Sequence, residues 1–236
     1  MEHKRKYEPG VYFRVKGADG REVVFSFGEV IYSSIGRSAL LAYRKNGKLT
    51  GDLELIVSND IRNGRRVSGV SEIAVERVDI PMNVYEDREN NIVEPPTREL
   101  TILDKKTGKS RTITLADLEA LPGITLFDKV QVGDCEGFRG VYAYEGATLR
   151  ALLESAGFVS LPYQYDRYVA VTSKSGFSAT YSMGELLNSK LGNNIVIAYK
   201  KDGAMLGADE GFAMMAAGED STGGRSVKCI SDIYIY

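Results

Sequence analysis

Short apolar stretches separated by glycine-containing turns recur along this chain, and their pattern predicts β-strands through most of its length. In the N-terminal third, Tyr12–Val15 and Glu22–Phe25 lie on either side of a turn at Asp19-Gly20. Asn46-Gly47 and Asp202-Gly203 suit hairpin turns. The same pattern predicts further strands at Ser38–Tyr43, Val67–Val78, Leu100–Leu103, Thr125–Val132, Tyr168–Val171, Phe177–Tyr181, Asn194–Tyr199 and Val227–Ile235.

Two short helices are predicted from matching N-terminal signals. Ser26-Phe27-Gly28-Glu29 and Ser182-Met183-Gly184-Glu185 are both Ser-x-x-Glu capping boxes. In such a box the serine oxygen accepts a bond from the third helical amide, and the glutamate reaches back to the N-cap amide. Each helix is predicted to end near a glycine, Gly36 or Gly192, because glycine commonly follows the last helical residue.

The chain contains an internal repeat, in which Val11–Val78 matches Arg167–Ile235. After a four-residue insertion in the second copy, Gly64-Arg65-Arg66-Val67 matches Gly224-Arg225-Ser226-Val227. Both copies give two strands, a capped helix and then more strands, which predicts two related α+β units. The other matched positions of the first copy, at an offset of 156 residues, are Val15, Gly20, Ser26, Gly28, Glu29, Ser33, Gly36 and the run 42–47.

Two segments lie outside the repeat. Residues 81–98 contain three prolines and a polar run, which predicts a linker. Residues 99–160 are predicted to hold a short helix capped by Thr114, a glycine-rich loop at Gly133–Gly140 and an amphipathic helix at Ala147–Ala156. We therefore expect a partial repeat at 1–80, the linker at 81–98, and a complete domain at 99–236.

Composition excludes several kinds of site and partner. The 236 residues include one histidine, His3, so a Ser-His-Asp triad, a Cys-His pair or a His-ligated metal would have to use it. Two cysteines are too few for a disulfide framework or a cysteine-based zinc site. A net charge of -2, with no basic stripe among aromatics, argues against nucleic acid as a partner.

No apolar run approaches the roughly 20 residues that span a bilayer. Met1–Tyr7 is charged and is followed by no apolar segment, so no signal peptide is visible. Two locations therefore remain possible: the cytoplasm, or export with a signal peptide that was removed earlier.

Five motifs stand in a fixed order along the second half of the chain. They are TLADLEALP at Thr114–Pro122, CEGF at Cys135–Phe138, YEGATLRALL at Tyr144–Leu153, IAY at Ile197–Tyr199 and GRSVK at Gly224–Lys228. Together they resemble the oxidoreductase molybdopterin-binding domain of the sulfite oxidase family. The resemblance covers 99–236. It implies an α+β, sulfite-oxidase-type fold of mixed β-sheets and short helices, preceded here by a repeat of its C-terminal half.

The resemblance also implies a molybdenum cofactor, molybdopterin, with Cys135 as the thiolate ligand of the metal, a role that suits a soft sulfur donor. A glycine-rich loop that carries Arg and Lys is, on its own chemistry, a plausible anion cradle. The implied activity is an oxidoreductase acting on a small-molecule or anionic substrate, with an electron-transfer or assembly partner. The implied cofactor contacts are Arg139, Gly223, Gly224, Arg225, Ser226 and Lys228.

Departures from the family pattern keep a second interpretation open. Ala213-Met214-Met215 replaces a Pro-Leu-Arg segment, and Phe138 and Cys229 stand where tryptophans are usual. The alternative is a cofactor-free binding or structural module that retains the fold. In that case Cys135 is a buried thiol or pairs with Cys229, and the cations of the 223–228 loop have no ligand. Whether the chain is an enzyme stays open between these two interpretations.

Overall fold

The computed structural model describes residues 10–33, 36–78, 97–133, 137–174, 176–220 and 223–236. Within these residues the chain is mostly β-sheet, with sixteen strands and four short α-helices. Most of the predicted linker, residues 81–96, lies outside the described residues, and so does Cys135.

Residues 10–78, here called unit 1, form two small antiparallel sheets that pack against each other. The strand orders are β2-β1-β6 and β3-β4-β5. Val15, Phe25 and Leu55 are among the buried side chains between the two sheets. The elements of unit 1 are β1 Val11–Gly17, β2 Glu22–Ser26, α1 Phe27–Ile31, β3 Ala39–Lys45, β4 Lys48–Val57, β5 Val67–Ser68 and β6 Val70–Arg77.

The rest of the chain divides into a central segment, residues 97–160, and unit 2, residues 161–236. The central elements are β7 Glu99–Asp104, β8 Ser110–Thr114, α2 Leu115–Glu119, β9 Gly123–Gly133, β10 Gly137–Thr148 and α3 Leu149–Ser155. Those of unit 2 are β11 Tyr168–Ser173, β12 Ser178–Ser182, α4 Met183–Leu187, β13 Ile195–Lys201, β14 Ala204–Met205, β15 Met214–Ala217 and β16 Ile230–Ile235.

The central segment completes both sheets of unit 2. One sheet has the order β12-β11-β16-β7-β8, in which β7 pairs with β16 in parallel. In the other, β13 lies between β10 and the strands β14 and β15, with β9 at the edge. The largest hydrophobic core lies between these sheets and includes Leu100, Leu118, Leu153, Ile197 and Ile233.

The two units share strand registers as well as sequence. Ala39 pairs with Val57 and Leu41 with Leu55 in unit 1, and the matched residues pair in unit 2. The corresponding pairs in unit 2 are Ile195 with Ala217 and Ile197 with Met215. Tyr12 pairs with Ser26, as Tyr168 pairs with Ser182.

Most predicted elements are present, but several predicted bounds are wrong. The capped helices end at Ile31 and Leu187, well before Gly36 and Gly192. These glycines instead begin 3-10 turns, where a Cβ on Gly36 would lie 1.8 Å from the Val30 carbonyl oxygen. Close approach of the chain to the helix, rather than a left-handed backbone, therefore requires glycine at this position.

The predicted C-terminal strands and the glycine-rich loop also differ from the structure. Gly69, with a φ of 60°, separates β5 from β6. Cys229 has a φ of 47°, and the last strand begins only after it. Gly137–Gly140 of the predicted loop belongs to β10, which pairs with β9.

Candidate functional site

The two Ser-x-x-Glu segments lie where unit 1 meets unit 2. Ser26 caps α1 by accepting a bond from the Glu29 amide at 3.0 Å, and Ser182 caps α4 in the same way through Glu185 at 2.9 Å. The predicted serine caps are therefore present. The second half of the predicted capping box is wrong, because both glutamate side chains extend toward the other unit.

Each cap serine donates a hydrogen bond to the glutamate of the opposite helix. Ser26 Oγ donates to Glu185 Oε2 at 3.0 Å, and Ser182 Oγ donates to Glu29 Oε2 at 2.7 Å. All four side chains are buried. The exchange is reciprocal, so a single arrangement of α1 and α4 satisfies both helix N-termini.

Arg65 completes one side of this junction. Its side chain is fully buried and lies over the ring of Phe25, 4.7 Å from the centroid. Nη1 donates to Glu29 Oε1 at 2.5 Å, while Nη2 and Nε donate to Asp60 at 2.6 and 3.0 Å. Bidentate contact with Asp60 and a third bond to Glu29 leave the guanidinium surrounded by carboxylate oxygens.

Arg225 occupies the matching position on the other side. Nη1 donates to Glu185 Oε2 at 2.9 Å, and Nη2 and Nε donate to Asp220 at 2.6 and 2.8 Å. Its guanidinium lies over Tyr181, 4.6 Å from the ring centroid. The Arg225 side chain is 3% exposed. Both arginines are therefore buried, and each pairs with one glutamate and one aspartate. We call Arg65, Arg225, Glu29, Asp60, Glu185 and Asp220 the junction cluster.

Sequence reasoning missed the junction cluster. Asp60 and Asp220 are related by the same offset as Arg65 and Arg225, so the repeat contained the signal. An acid and a base repeated five residues apart in both copies could have indicated a paired structural role.

Carboxylates outnumber guanidinium groups in the junction cluster, four to two. Burial raises the pKa of Glu185 to about 7, and the negative charges of Glu29 and Asp220 act in the same direction. Burial opposes the charged form of Arg225, but Glu185 and Asp220 still hold its pKa well above the ordinary value. The arginines therefore stay charged, and Glu185 binds a proton near neutral pH.

Two glycines make room for the arginines. A Cβ on Gly28 would lie 2.3 Å from Arg225 Cδ, and a Cβ on Gly184 would lie 2.1 Å from Arg65 Cδ. Because both arginines are held by carboxylates, neither can move aside at low cost.

Gly28→Ala and Gly184→Ala are each expected to lower the free energy of unfolding by about 2 kcal/mol, the usual cost of overpacking. Gly123→Ala is the control, since a Cβ there meets nothing within 4 Å. Urea denaturation of the three variants measures the difference. Equal stability of Gly28→Ala and Gly123→Ala would show that the junction can relax.

The predicted anion-binding loop at 223–228 lies against the end of β9. The Gly223 amide donates to the Val132 carbonyl at 3.3 Å, and Val132 pairs with Phe138. The Ser226 amide donates to the Gly223 carbonyl at 2.9 Å, which closes a turn that includes Gly224. Two of the amides predicted to cradle an anion are thus bonded to backbone carbonyls.

The remaining predicted positions lie around this turn. Lys228 pairs with Asp209 at 3.3 Å, and Arg139 lies exposed on β10. Cys229 is buried, with its sulfur 3.7 Å from the Asp209 carbonyl oxygen. Because Cys135 lies outside the described residues, its predicted role as a metal ligand stays a prediction.

Other parts of the described structure offer no stronger site. A cleft of about 260 Å³ is lined by residues that include Asp104, Lys109 and Arg167. Arg167 donates to Asp104 at 2.8 Å and Lys109 to the Gly157 carbonyl at 2.6 Å, so both cations have partners. The described ranges contain no group of three or more His, Cys, Asp or Glu side chains arranged to hold a metal ion. Nor do they contain a helix long and apolar enough to cross a bilayer.

Comparison with protein families decides the family. The oxidoreductase molybdopterin-binding domain matches residues 89–236. The chain belongs to this family. The match confirms the resemblance drawn from the motifs between Thr114 and Lys228.

Among solved structures, the chain is similar to the sulfane dehydrogenase SoxCD from Paracoccus pantotrophus, with 18% sequence identity and a TM-score of 0.42. The similarity covers 58% of this chain and 38% of that one. No curated protein matches the chain.

The described residues do not fit the anionic cofactor that the molybdopterin-binding family implies. A pterin phosphate needs cationic partners, and Arg225 is the buried cation at the expected motif. Its three donor nitrogens already contact Glu185 and Asp220, and the cluster around it holds more carboxylates than guanidinium groups. Buried Lys129 donates to the Asp220 carbonyl at 2.5 Å. An anion at this position would have to compete with Glu185 and Asp220 for the donor nitrogens of Arg225.

Proposed function

We propose that this chain is a cofactor-free module on the molybdopterin-binding fold, which acts through association with protein rather than through a molybdenum centre. The pairing of Arg225 with Glu185 and Asp220 carries the proposal. Arg65 makes the same pairing in unit 1, and unit 1 contains no cysteine. Because both units contain this arginine–carboxylate pairing, the junction between the units explains it, and no bound ligand is needed.

The proposal includes duplication of the C-terminal half of the fold. Residues 1–80 would be the partial repeat and 99–236 the complete domain, joined by the linker at 81–98. Matched registers in β3–β4 and β13–β15 support this division, as does the reciprocal pairing of Arg65 and Arg225. In this scheme unit 1 serves assembly, because it contains no equivalent of the cysteine loop.

The family match favours a second candidate function, a molybdopterin-dependent oxidoreductase. Residues 89–236 include Cys135, and Gly223 lies against the strand that leads to it. In that case the Cys135 thiolate would ligate molybdenum. The cofactor contacts would then come from Arg139, Gly223, Gly224, Arg225, Ser226 and Lys228. We place this candidate second because the carboxylates of the junction cluster already bind Arg225.

Molybdenum content separates the two candidates. The wild-type chain and Cys135→Ser are to be produced in a host that makes the cofactor, with molybdate supplied, beside a cofactor-bearing member of the family. We expect both forms to hold the same background of molybdenum by mass spectrometry, and the same background of oxidised pterin by fluorescence. Their unfolding midpoints should also agree, since a ligand that binds only the folded state would raise one of them.

Stoichiometric molybdenum in the wild-type chain that disappears in Cys135→Ser would overturn the cofactor-free proposal. Such a result would establish the oxidoreductase candidate instead. The family member from the same host shows that cofactor supply was adequate.

A further inference from the structure

Unit 1 presents an apolar surface whose counterpart in unit 2 is a hydrophobic core. We call this surface the open face; it consists of Leu41, Leu53, Ile73 and Val75, which are 42–68% exposed. Large apolar side chains grouped on a surface commonly mark an interface. The matched residues of unit 2 are Ile197, Ala213, Ile233 and Ile235, all 0% exposed and all within one core.

The central segment explains this difference. In unit 2, side chains of the central segment pack against the matched positions. These side chains include Leu100, Leu118 and Leu153. The strands of the central segment also occupy both sheet edges: β7 pairs with β16, and β10 pairs with β13. The described residues contain one such segment, and it packs against unit 2.

Unit 1 has no equivalent cover within the described ranges. There β6 pairs with β1 and β3 pairs with β4, so each strand has one edge without a partner strand. Such edges present unpaired backbone groups that readily accept another strand. An apolar face bounded by two open edges is therefore an incomplete sheet sandwich.

A second copy of this chain offers a complementary surface. The β3 edge ends in exposed Arg44 and Lys45, whereas β6 carries exposed Glu72 near its start and exposed Arg77 at its far end. A two-fold axis can bring β3 of one copy onto β6 of its partner, and this opposes cations and carboxylate at both ends of the interface. A net charge of only -2 adds little repulsion between copies.

We propose that the open face is a self-association surface, covered in solution by the open face of a second copy in a two-fold dimer. This inference names the partner in the proposed assembly function and rests on that function. Oligomeric state is measured independently of molybdenum content, so failure of either proposal can be told from failure of the other.

Sedimentation and light scattering of the full chain test the dimer. We expect a mass twice the 25.9 kDa of one chain, and Leu41→Lys/Val75→Lys should weaken association by at least about 100-fold, because two charges would be buried. Phe127→Lys/Val130→Lys is the matched control. It places two charges at exposed apolar positions of β9, outside the open face, and should leave the dimer intact.

A charge exchange tests the arrangement of the strands. Arg44→Glu should weaken association and Glu72→Arg should do the same, while Arg44→Glu/Glu72→Arg in one chain should restore it. All these positions are exposed, so circular dichroism should show an unchanged fold.

Two results would overturn the proposal. One is a wild-type chain that stays monomeric over a wide range of concentration. If its β3 and β6 amides were nevertheless protected from hydrogen exchange, another part of the same chain would cover the face. The other is a dimer that survives Leu41→Lys/Val75→Lys with the fold intact, which would place the interface elsewhere.

Discussion

Replacing Arg65 with methionine is expected to lower the free energy of unfolding by about 3–5 kcal/mol, because it leaves two buried carboxylates without their cation. Arg65 is fully buried, and its guanidinium supplies charged hydrogen bonds to both Glu29 and Asp60. Methionine fills a similar volume but donates no hydrogen bond to either carboxylate. A domain in the upper part of the ordinary stability range of about 5–15 kcal/mol would remain folded, so the loss can be measured by urea denaturation.

The neighbouring residue provides the control. Arg66 is 43% exposed and pairs with Glu54 on the surface of β4. Arg66→Met should therefore cost less than about 1 kcal/mol, as exposed ion pairs usually do. If Arg65→Met were no more harmful than Arg66→Met, the junction cluster would not hold the units together.

Arg225→Met should cost as much as Arg65→Met, since its contacts are equivalent. The double variant should cost less than the sum of the two single changes. Both arginines belong to one network, in which Ser26 and Ser182 link the two halves, and coupled sites are not additive. Strict additivity would indicate two independent ion pairs.

Local signals allowed much of the fold to be predicted. Ser26, Ser182 and Thr114 cap helices as expected, because the bond from a serine or threonine oxygen to the third amide depends on a few adjacent residues. Thr114 with Asp117 forms the complete capping box, because the cation nearest the acid, Arg111, lies 3.8 Å away and leaves the carboxylate bonded to the cap. Glu29 instead meets Arg65, 36 residues away in sequence, and the stronger charged bond prevails.

Long-range contacts could not be predicted from the same signals. Leu41 and Ile197 are matched apolar positions in matched strands, and the pattern predicts burial for both. Leu41 is 46% exposed and Ile197 is buried, because only β13 has β10 beside it. The sequence of a strand does not indicate which neighbour covers it. The partners of Arg225 could not be predicted for the same reason, since Glu185 and Asp220 come together with it only in the folded chain.

The stability of the wild-type chain is expected to fall as the pH rises from about 5 to about 8, and Glu185 is the cause. Its pKa is raised by burial from 4.5 to about 7, so the folded state holds a proton that the unfolded chain has already released. The folded state therefore binds more protons across this window, and the free energy of unfolding decreases with increasing pH. The largest decrease from this group is about 3 kcal/mol, at about 1.4 kcal/mol for each pKa unit.

Glu185→Gln should remove this slope, because a glutamine cannot release the proton. Glu29→Gln should make the slope shallower without abolishing it, since it removes one of the negative charges that raise the pKa of Glu185. Glu154→Gln, at an exposed position on α3, is the control and should keep the wild-type slope. Urea denaturation at several pH values gives the four slopes. A wild-type chain equally stable at pH 5 and pH 8, or a slope that persists in Glu185→Gln, would show that the excess negative charge of the junction cluster is neutralised by some group other than Glu185.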